Sequence, residues 1–169
     1  MKIMSDFIIQ PAEHNDLHSV ITLWRERMTI ISQSVPHLRS HIPAETDHFA
    51  HLHTCLNLPN TAFICGKQQG EIIGYILGTL RDEMCLIHEM VLDAHAYHRG
   101  LAKALVGAIQ TRFIATAPMP IAICVPRYYA VEQAFWRGLG ARDWKEITWQ
   151  TSPLYQWMML SSAPQNKPM

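Results

Sequence analysis

The stretch from Met84 to Phe113 constrains this chain more than any other. Met84, Cys85, Leu86, Ile87, His88, Glu89, Met90, Val91 and Leu92 form a mostly apolar run of strand length. Tyr97-His98-Arg99-Gly100-Leu101-Ala102-Lys103-Ala104 follows, and Leu101, Leu105, Ala108, Ile109 and Phe113 then recur at the spacing of one helix face. A strand, a tight turn and a helix start in succession make an anion site. The first N–H groups of the helix lack internal acceptors, and the helix dipole favours negative charge. Gly100 and Ala102 let a phosphate approach the main chain, while Arg99 and Lys103 add cationic donors. The plainer alternative is a strand–helix turn that uses Gly100 only to bend.

Known phosphate motifs narrow the ligand. A dinucleotide fingerprint needs three spaced glycines, and a P-loop needs Gly-Lys followed by Ser or Thr. Neither is present. The turn instead resembles the pyrophosphate loop of the GNAT superfamily of acyl-CoA N-acyltransferases, which reads Gln/Arg-x-x-Gly-x-Gly/Ala. Gly100 and Ala102 fill its last two fixed positions, and Tyr97 departs from its first. Val91-Leu92-Asp93-Ala94-His95-Ala96-Tyr97 resembles the family's approach to the loop. Ala134-Phe135-Trp136-Arg137-Gly138-Leu139-Gly140-Ala141 resembles its Phe-Tyr-x-x-x-Gly-Phe segment, with Trp136 in place of Tyr and Ala141 in place of Phe. The resemblance covers about Thr61 to Trp149; the residues before it match only in element order.

A chain of 169 residues fits one domain, placed here at residues 1–160 with a polar tail at 161–169. At 49% apolar and 17% charged it reads as globular. Fourteen cationic against fourteen anionic residues give no electrostatic case for nucleic acid or an anionic membrane. Cys55, Cys65, Cys85 and Cys124 are scattered, with no CxxC pair, so buried thiols are expected rather than a zinc site. Neither a signal peptide nor a membrane span is expected, and the expected setting is the cytoplasm.

Element by element, Phe7-Ile8-Ile9-Gln10 reads as a strand, and Asn15 or Asp16 as a helix cap before the stripe Leu17, Val20, Ile21, Trp24, Met28 and Ile31. A second helix starts at Pro43 and ends by Pro59-Asn60. Thr61 to Cys65 is a strand, Gly66 to Gly70 a hairpin loop, and Ile72 to Leu80 the return strand. After Met84–Leu92 and the long helix come a strand at Ile121–Val125, a helix at Val131–Leu139 capped by Gly140, and a strand pair at Trp144–Trp149 and Gln156–Leu160. The fold class is mixed α/β. The resemblance implies a mostly antiparallel sheet flanked by four helices and splayed between strands four and five, with acetyl-CoA in the gap.

The resemblance also implies the site. Met90, Val91 and Leu92, with Tyr97, His98, Arg99, Gly100, Leu101, Ala102 and Lys103, would bind acetyl-CoA. An amine acceptor must lose a proton before it can attack. Glu89, a charge inside an apolar strand, is the first candidate base, and partial burial is expected to raise its pKa. His88 is the second, on the opposite face by strand alternation unless a bulge intervenes. An indole at Trp136 gives up no proton, so Tyr128 and Tyr129 are the candidate acids. Alternatives for these side chains are ion pairing, solvent exposure and packing. His37, His41, His48, His51 and His53 cluster around the second helix, where an acceptor cleft or a solvated face is expected and a metal is not.

The expected activity is acetyl transfer to a primary amine by direct attack in a ternary complex. Two alternatives are an acyl-CoA-binding module that turns over poorly and an RNA-modifying acetyltransferase; a homodimer is left open. Gly100→Glu places bulk and negative charge where the phosphate would sit, so it should abolish CoA binding. Calorimetry on the folded variant checks this, and unchanged affinity would overturn the assignment.

Overall fold

In a computed structural model of the protein, residues 6–96, 100–113, 119–145 and 152–161 are described. Among them the element order is β1 (Ile8–Pro11), α1 (Leu17–Ser34), α2 (Glu45–Cys55), β2 (Thr61–Gln68), β3 (Glu71–Arg81), β4 (Met84–Leu92), α3 (Leu101–Phe113), β5 (Ile121–Pro126), α4 (Ala130–Gly138), β6 (Arg142–Asp143) and β7 (Tyr155–Leu160). One seven-stranded sheet runs β1-β2-β3-β4-β5-β7-β6. Every adjacent pair is antiparallel except β4–β5, which is parallel and joined by the crossover through α3.

Helices cover both faces. Leu17, Val20, Ile21, Trp24, Met28 and Ile31 of α1 are buried, as their spacing predicts, and pack with Phe63, Tyr75, Leu77 and Val91. On the other face, Leu101, Leu105 and Ile109 of α3 and Trp136 of α4 pack with Ile64, Ile76, Ile87 and Met90. Cys55, Cys65 and Cys85 are buried free thiols, and burial pushes Cys65 and Cys85 up to about 12.

Several expected boundaries move. The loop expected over Gly66–Gly70 is a two-residue turn, because β2 continues to Gln68 and pairs with Glu71. Gln69 and Gly70 take positive φ of 52° and 84°, the conformation a tight antiparallel hairpin favours. Asp16 stands at the N-cap position of α1, but its side chain makes no capping hydrogen bond to that helix. It accepts the Glu13 N–H at 2.9 Å and pairs with Lys67 Nζ at 2.7 Å, tying the helix start to β2. The strand expected from Trp144 lies earlier, at Arg142–Asp143, because these residues pair with Met159 and Met158. Part of the expected strand, 146–149, lies outside the described residues. Gly140 sits at φ 99°, the left-handed cap expected of it.

Two strand glycines set how closely α3 approaches the sheet. A Cβ at Gly66 would lie 2.4 Å from Leu101 Cδ1, and one at Gly74 would lie 2.9 Å from Leu101 Cδ2. The first residue of α3 therefore plugs into a recess that only glycine leaves open. Gly74 has the stiffer surroundings, since Val91 O also lies 3.1 Å from the added carbon. Gly74→Ala should lower stability by about 1–3 kcal/mol through overpacking. Denaturant unfolding measures it, and a neutral result would show that α3 can retreat freely.

Candidate active site

Pairing between β4 and β5 stops early. Only Cys85↔Ile121, Leu86↔Ala122 and Ile87↔Ile123 are in register, while β4 continues beside β3 to Leu92. The cause lies on the β3 side. Gly78 pairs with Ile87 and Leu77 with Glu89, so His88 is an extra residue in the ladder. Such a bulge bends its strand and increases the local twist.

The bulge also exchanges the faces of β4. Cys85 and Ile87 point to the α3 side, and past His88 that side belongs to Met90, while Val91 packs toward α1. Glu89 thus falls on the α1–α2 side. A one-residue slip reverses the side-chain direction of everything beyond it. The expectation that His88 and Glu89 take opposite faces is corrected accordingly. Glu89 meets α2 through His48, and His88 feels the charge of His51 on the same helix. Burial, against the weaker opposing pull of Glu89, holds the His88 imidazole below its ordinary value, and its Nε2 lies 2.7 Å from Thr79 Oγ1.

Glu89 is only 7% exposed. Its Oε1 accepts a hydrogen bond from the Tyr75 hydroxyl at 2.9 Å and lies 3.2 Å from His48 Nε2. The His48 ring stacks on Trp24, with centroids 4.2 Å apart and planes at 18°. The expected upward pKa shift of Glu89 is reversed. Burial alone would raise it, but the hydrogen bond and charge of His48, the Arg27 guanidinium and the Tyr75 hydroxyl together bring it below the usual carboxylate range. Glu89 is therefore a carboxylate at neutral pH.

Arg27 closes the far side of the gap. It is 5% exposed, donates from Nη1 to the Met90 carbonyl at 3.0 Å and forms an ion pair through Nη2 with Glu132 Oε2. Its guanidinium also lies 6.0 Å from the centre of the Tyr129 ring. Burial opposes its charge, yet Glu132 and the neighbouring acids keep it firmly protonated. Glu132 responds the other way. Burial, only partly offset by Arg27, pushes its carboxyl up to about 7.

Between β4 and α4 opens a cavity of about 610 Å³. Met90, Val91 and Leu92 form one wall, Glu132 and Phe135 the other; Ala102, Tyr129 and Arg27 complete it. Met90 turns its carbonyl to Arg27, away from β3, and Asp93 sends its N–H to Ile73 of β3. By alternation the N–H groups of Met90 and Leu92 face the gap, where no β5 residue pairs with them.

Of the residues singled out in the sequence, Met90, Val91, Leu92, Ala102 and Tyr129 come together here. Gly100 takes φ 77°, and among the described residues nothing lies within 4 Å of where its Cβ would be. The Leu101 side chain is core, so only its main chain can serve a ligand. Lys103 lies along a separate hollow with Val106 and Leu139. Tyr128 is 56% exposed and edge-on to His37, apart from the cavity wall. Tyr97, His98 and Arg99 lie outside the described residues. The sequence reading missed Arg27, Tyr75 and Glu132 and left His48 within a group. Two of these carried a signal: Arg27 interrupts the apolar stripe between Trp24 and Met28, and Glu132 lies one turn before Trp136 on the buried face of α4. Among the described residues no group of three or more His, Cys, Asp or Glu side chains could hold a metal ion, and no helix is long and apolar enough to cross a membrane.

A sequence profile of the Acetyltransferase (GNAT) family matches residues 18–140. The chain belongs to that family. Its fold matches the PaiA N-acetyltransferase of Thermoplasma acidophilum, solved in complex with coenzyme A, with TM-score 0.76 and 15% identity over 92% of this chain and 98% of that one. A GNAT-family acetyltransferase of Staphylococcus aureus Mu50 matches with TM-score 0.72 and 14% identity over 93% and 99% of the two chains. The ribosomal-protein-S18-alanine N-acetyltransferase of Escherichia coli matches with TM-score 0.63 and 13% identity over 96% and 98%. At these identities the likeness shows the fold. No curated protein matches this GNAT chain in sequence.

Breaking the Arg27–Glu132 pair from one side leaves a buried charge alone. Glu132→Leu, which strands the firmly protonated guanidinium, should therefore cost about 3–5 kcal/mol. Arg27→Met with Glu132→Leu should recover most of that loss, because both charges are gone. Chemical denaturation of the two variants checks this, and equal losses would show that packing, not charge, sets the cost.

Proposed function

We propose that this GNAT chain transfers an acetyl group from acetyl-CoA to a primary amine, on a small molecule or a peptide, by direct attack in a ternary complex. One observation carries the reading: an unpaired strand edge at Met90–Leu92 opens onto a cavity of about 610 Å³ that reaches Ala102 at the start of α3. Its volume falls within the ordinary range for a small-molecule site. The N–H groups of Met90 and Leu92 suit the amides and thioester carbonyl of an acyl-pantetheine arm. The open space at Gly100 and the first N–H groups of α3 suit a pyrophosphate. The similar fold of the Thermoplasma acidophilum protein, solved in complex with coenzyme A, supports binding of an acyl-CoA.

The thioester supplies an activated acyl carbon and a thiol leaving group; the chain's own residues must manage the protons and the developing charge. Met90 N–H, fixed because Arg27 holds the carbonyl of the same residue, offers a donor to an oxyanion without reorganisation. On the α1–α2 side of β4, Glu89 and His48 form the proton-accepting pair. With Glu89 ionised, His48 Nε2–H donates to it, and the other ring nitrogen becomes the basic one in the neutral ring. Glu89 then orients the imidazole and stabilises it once protonated.

Mass-spectrometric screening of the protein with acetyl-CoA against amines, peptides and antibiotics tests the activity. Glu89→Gln should lower turnover about 100- to 10,000-fold with acetyl-CoA affinity intact, and the deficit should shrink at high pH, where more amine is already neutral. His48→Gln should reproduce it. A Glu89→Gln variant with the wild-type rate and pH profile would remove the pair from the mechanism.

A further inference from the structure

Glu132 is the feature of the cavity that the proton-accepting pair leaves unused. It lines the wall opposite Met90, 5% exposed, with Oε2 on Arg27 and Oε1 buried without a hydrogen-bond partner. A buried carboxyl oxygen with nothing to bond is costly, and its retention calls for a partner that arrives. The Trp136 indole N–H, one turn along α4, lowers the carboxyl's pKa by approaching it as a donor, but does not reach the geometry of a full hydrogen bond. Arg27 bonds Met90 O with one nitrogen and Glu132 with another, so the carboxyl and the strand edge stand one guanidinium width apart.

We propose that Glu132 donates the proton that the departing thiolate takes up, a role that rests on the acetyltransferase reading above. The amine nitrogen bonds to the acyl carbon, the carbon–sulfur bond breaks with its electron pair on sulfur, and the Glu132 proton moves to that sulfur. The proton lost by the amine nitrogen passes to His48, so the amide, a thiol, the Glu132 carboxylate and a protonated His48 that returns its proton to solvent result. Arg27 neutralises the carboxylate as it forms, and solvent restores its proton before the next turnover. The charged and titratable groups facing Glu132 are Arg27 from α1, Glu89 from β4, Cys124 from β5 and Tyr155 from β7. Burial with a single cation sets the carboxyl at about 7, below a thiol's roughly 8.5, so the transfer to sulfur runs downhill.

Glu132→Gln keeps an acceptor for Arg27 and removes the proton. Thiol release from acetyl-CoA is measured across pH, with an acceptor amine taken from the panel above, and CoA affinity by calorimetry. Expected are a drop of about 100-fold or more in kcat, unchanged CoA affinity and loss of the wild-type decline in kcat above about pH 7. Arg27→Lys leaves Glu132 in place but changes the cation opposite it, so the alkaline limb should move. It supplies the test if the glutamine variant does not fold. A purely structural Glu132 would leave the position of that limb untouched. Full turnover and an unmoved limb in a wild-type-like CoA binder overturn the role of Glu132 alone. A wild-type chain that binds no CoA overturns the acetyltransferase reading and this proposal with it.

Discussion

The Arg27 guanidinium is the contact on which the site depends. It joins three elements that share no sequence neighbourhood: α1 carries it, β4 receives one N–H at Met90, and α4 supplies the opposing charge at Glu132. Desolvating a cation costs several kcal/mol, which Arg27 offsets through acceptors at Nη1 and Nη2, while its Nε is buried with no partner among the described residues. Here one acceptor belongs to β4, where it parts from β5, and the other to α4. With β5 diverging, the Met90 carbonyl would otherwise face an apolar cavity unpaired. Arg27 satisfies it, fixes the orientation of the adjacent N–H groups, and holds α4 at the distance that sets the cavity's width.

The gap itself comes from a single extra residue. His88 enters the β3–β4 ladder with no partner, and the strand bends away from β5 after Ile87. The same insertion turns Glu89 out of the α3-side core and into contact with Tyr75 and His48. One local irregularity thus opens the cleft and aims a carboxylate to one side of it.

Two carboxylates then acquire opposite character within one small region. Glu89 has a hydroxyl, an imidazole and a nearby cation around it, which together outweigh burial and keep it ionised. Glu132 has one cation and one unpartnered oxygen, so burial prevails and it retains a proton near neutrality. Pushing a pair of like groups apart in this way lets one fold hold an acceptor and a donor of protons at the same pH.

By itself the sequence determined the order of elements, the apolar faces of α1 and α3, the strand limits Met84–Leu92, and a Gly-x-Ala turn at a helix start, because hydrophobic period and glycine placement are local properties of the chain. Met90, Val91, Leu92 and Ala102 were singled out through the family resemblance, and the structure places them along one cavity. The direction of Glu89 was not, since strand alternation holds only until a bulge, and this bulge is defined by β3 pairing across the hairpin. The roles of Arg27, His48 and Glu132 were decided by tertiary structure alone. They stand 21 residues or more from one another in the chain, and the environment that lowers one carboxyl and raises another exists only after α1, α2 and α4 have packed against the open edge of β4.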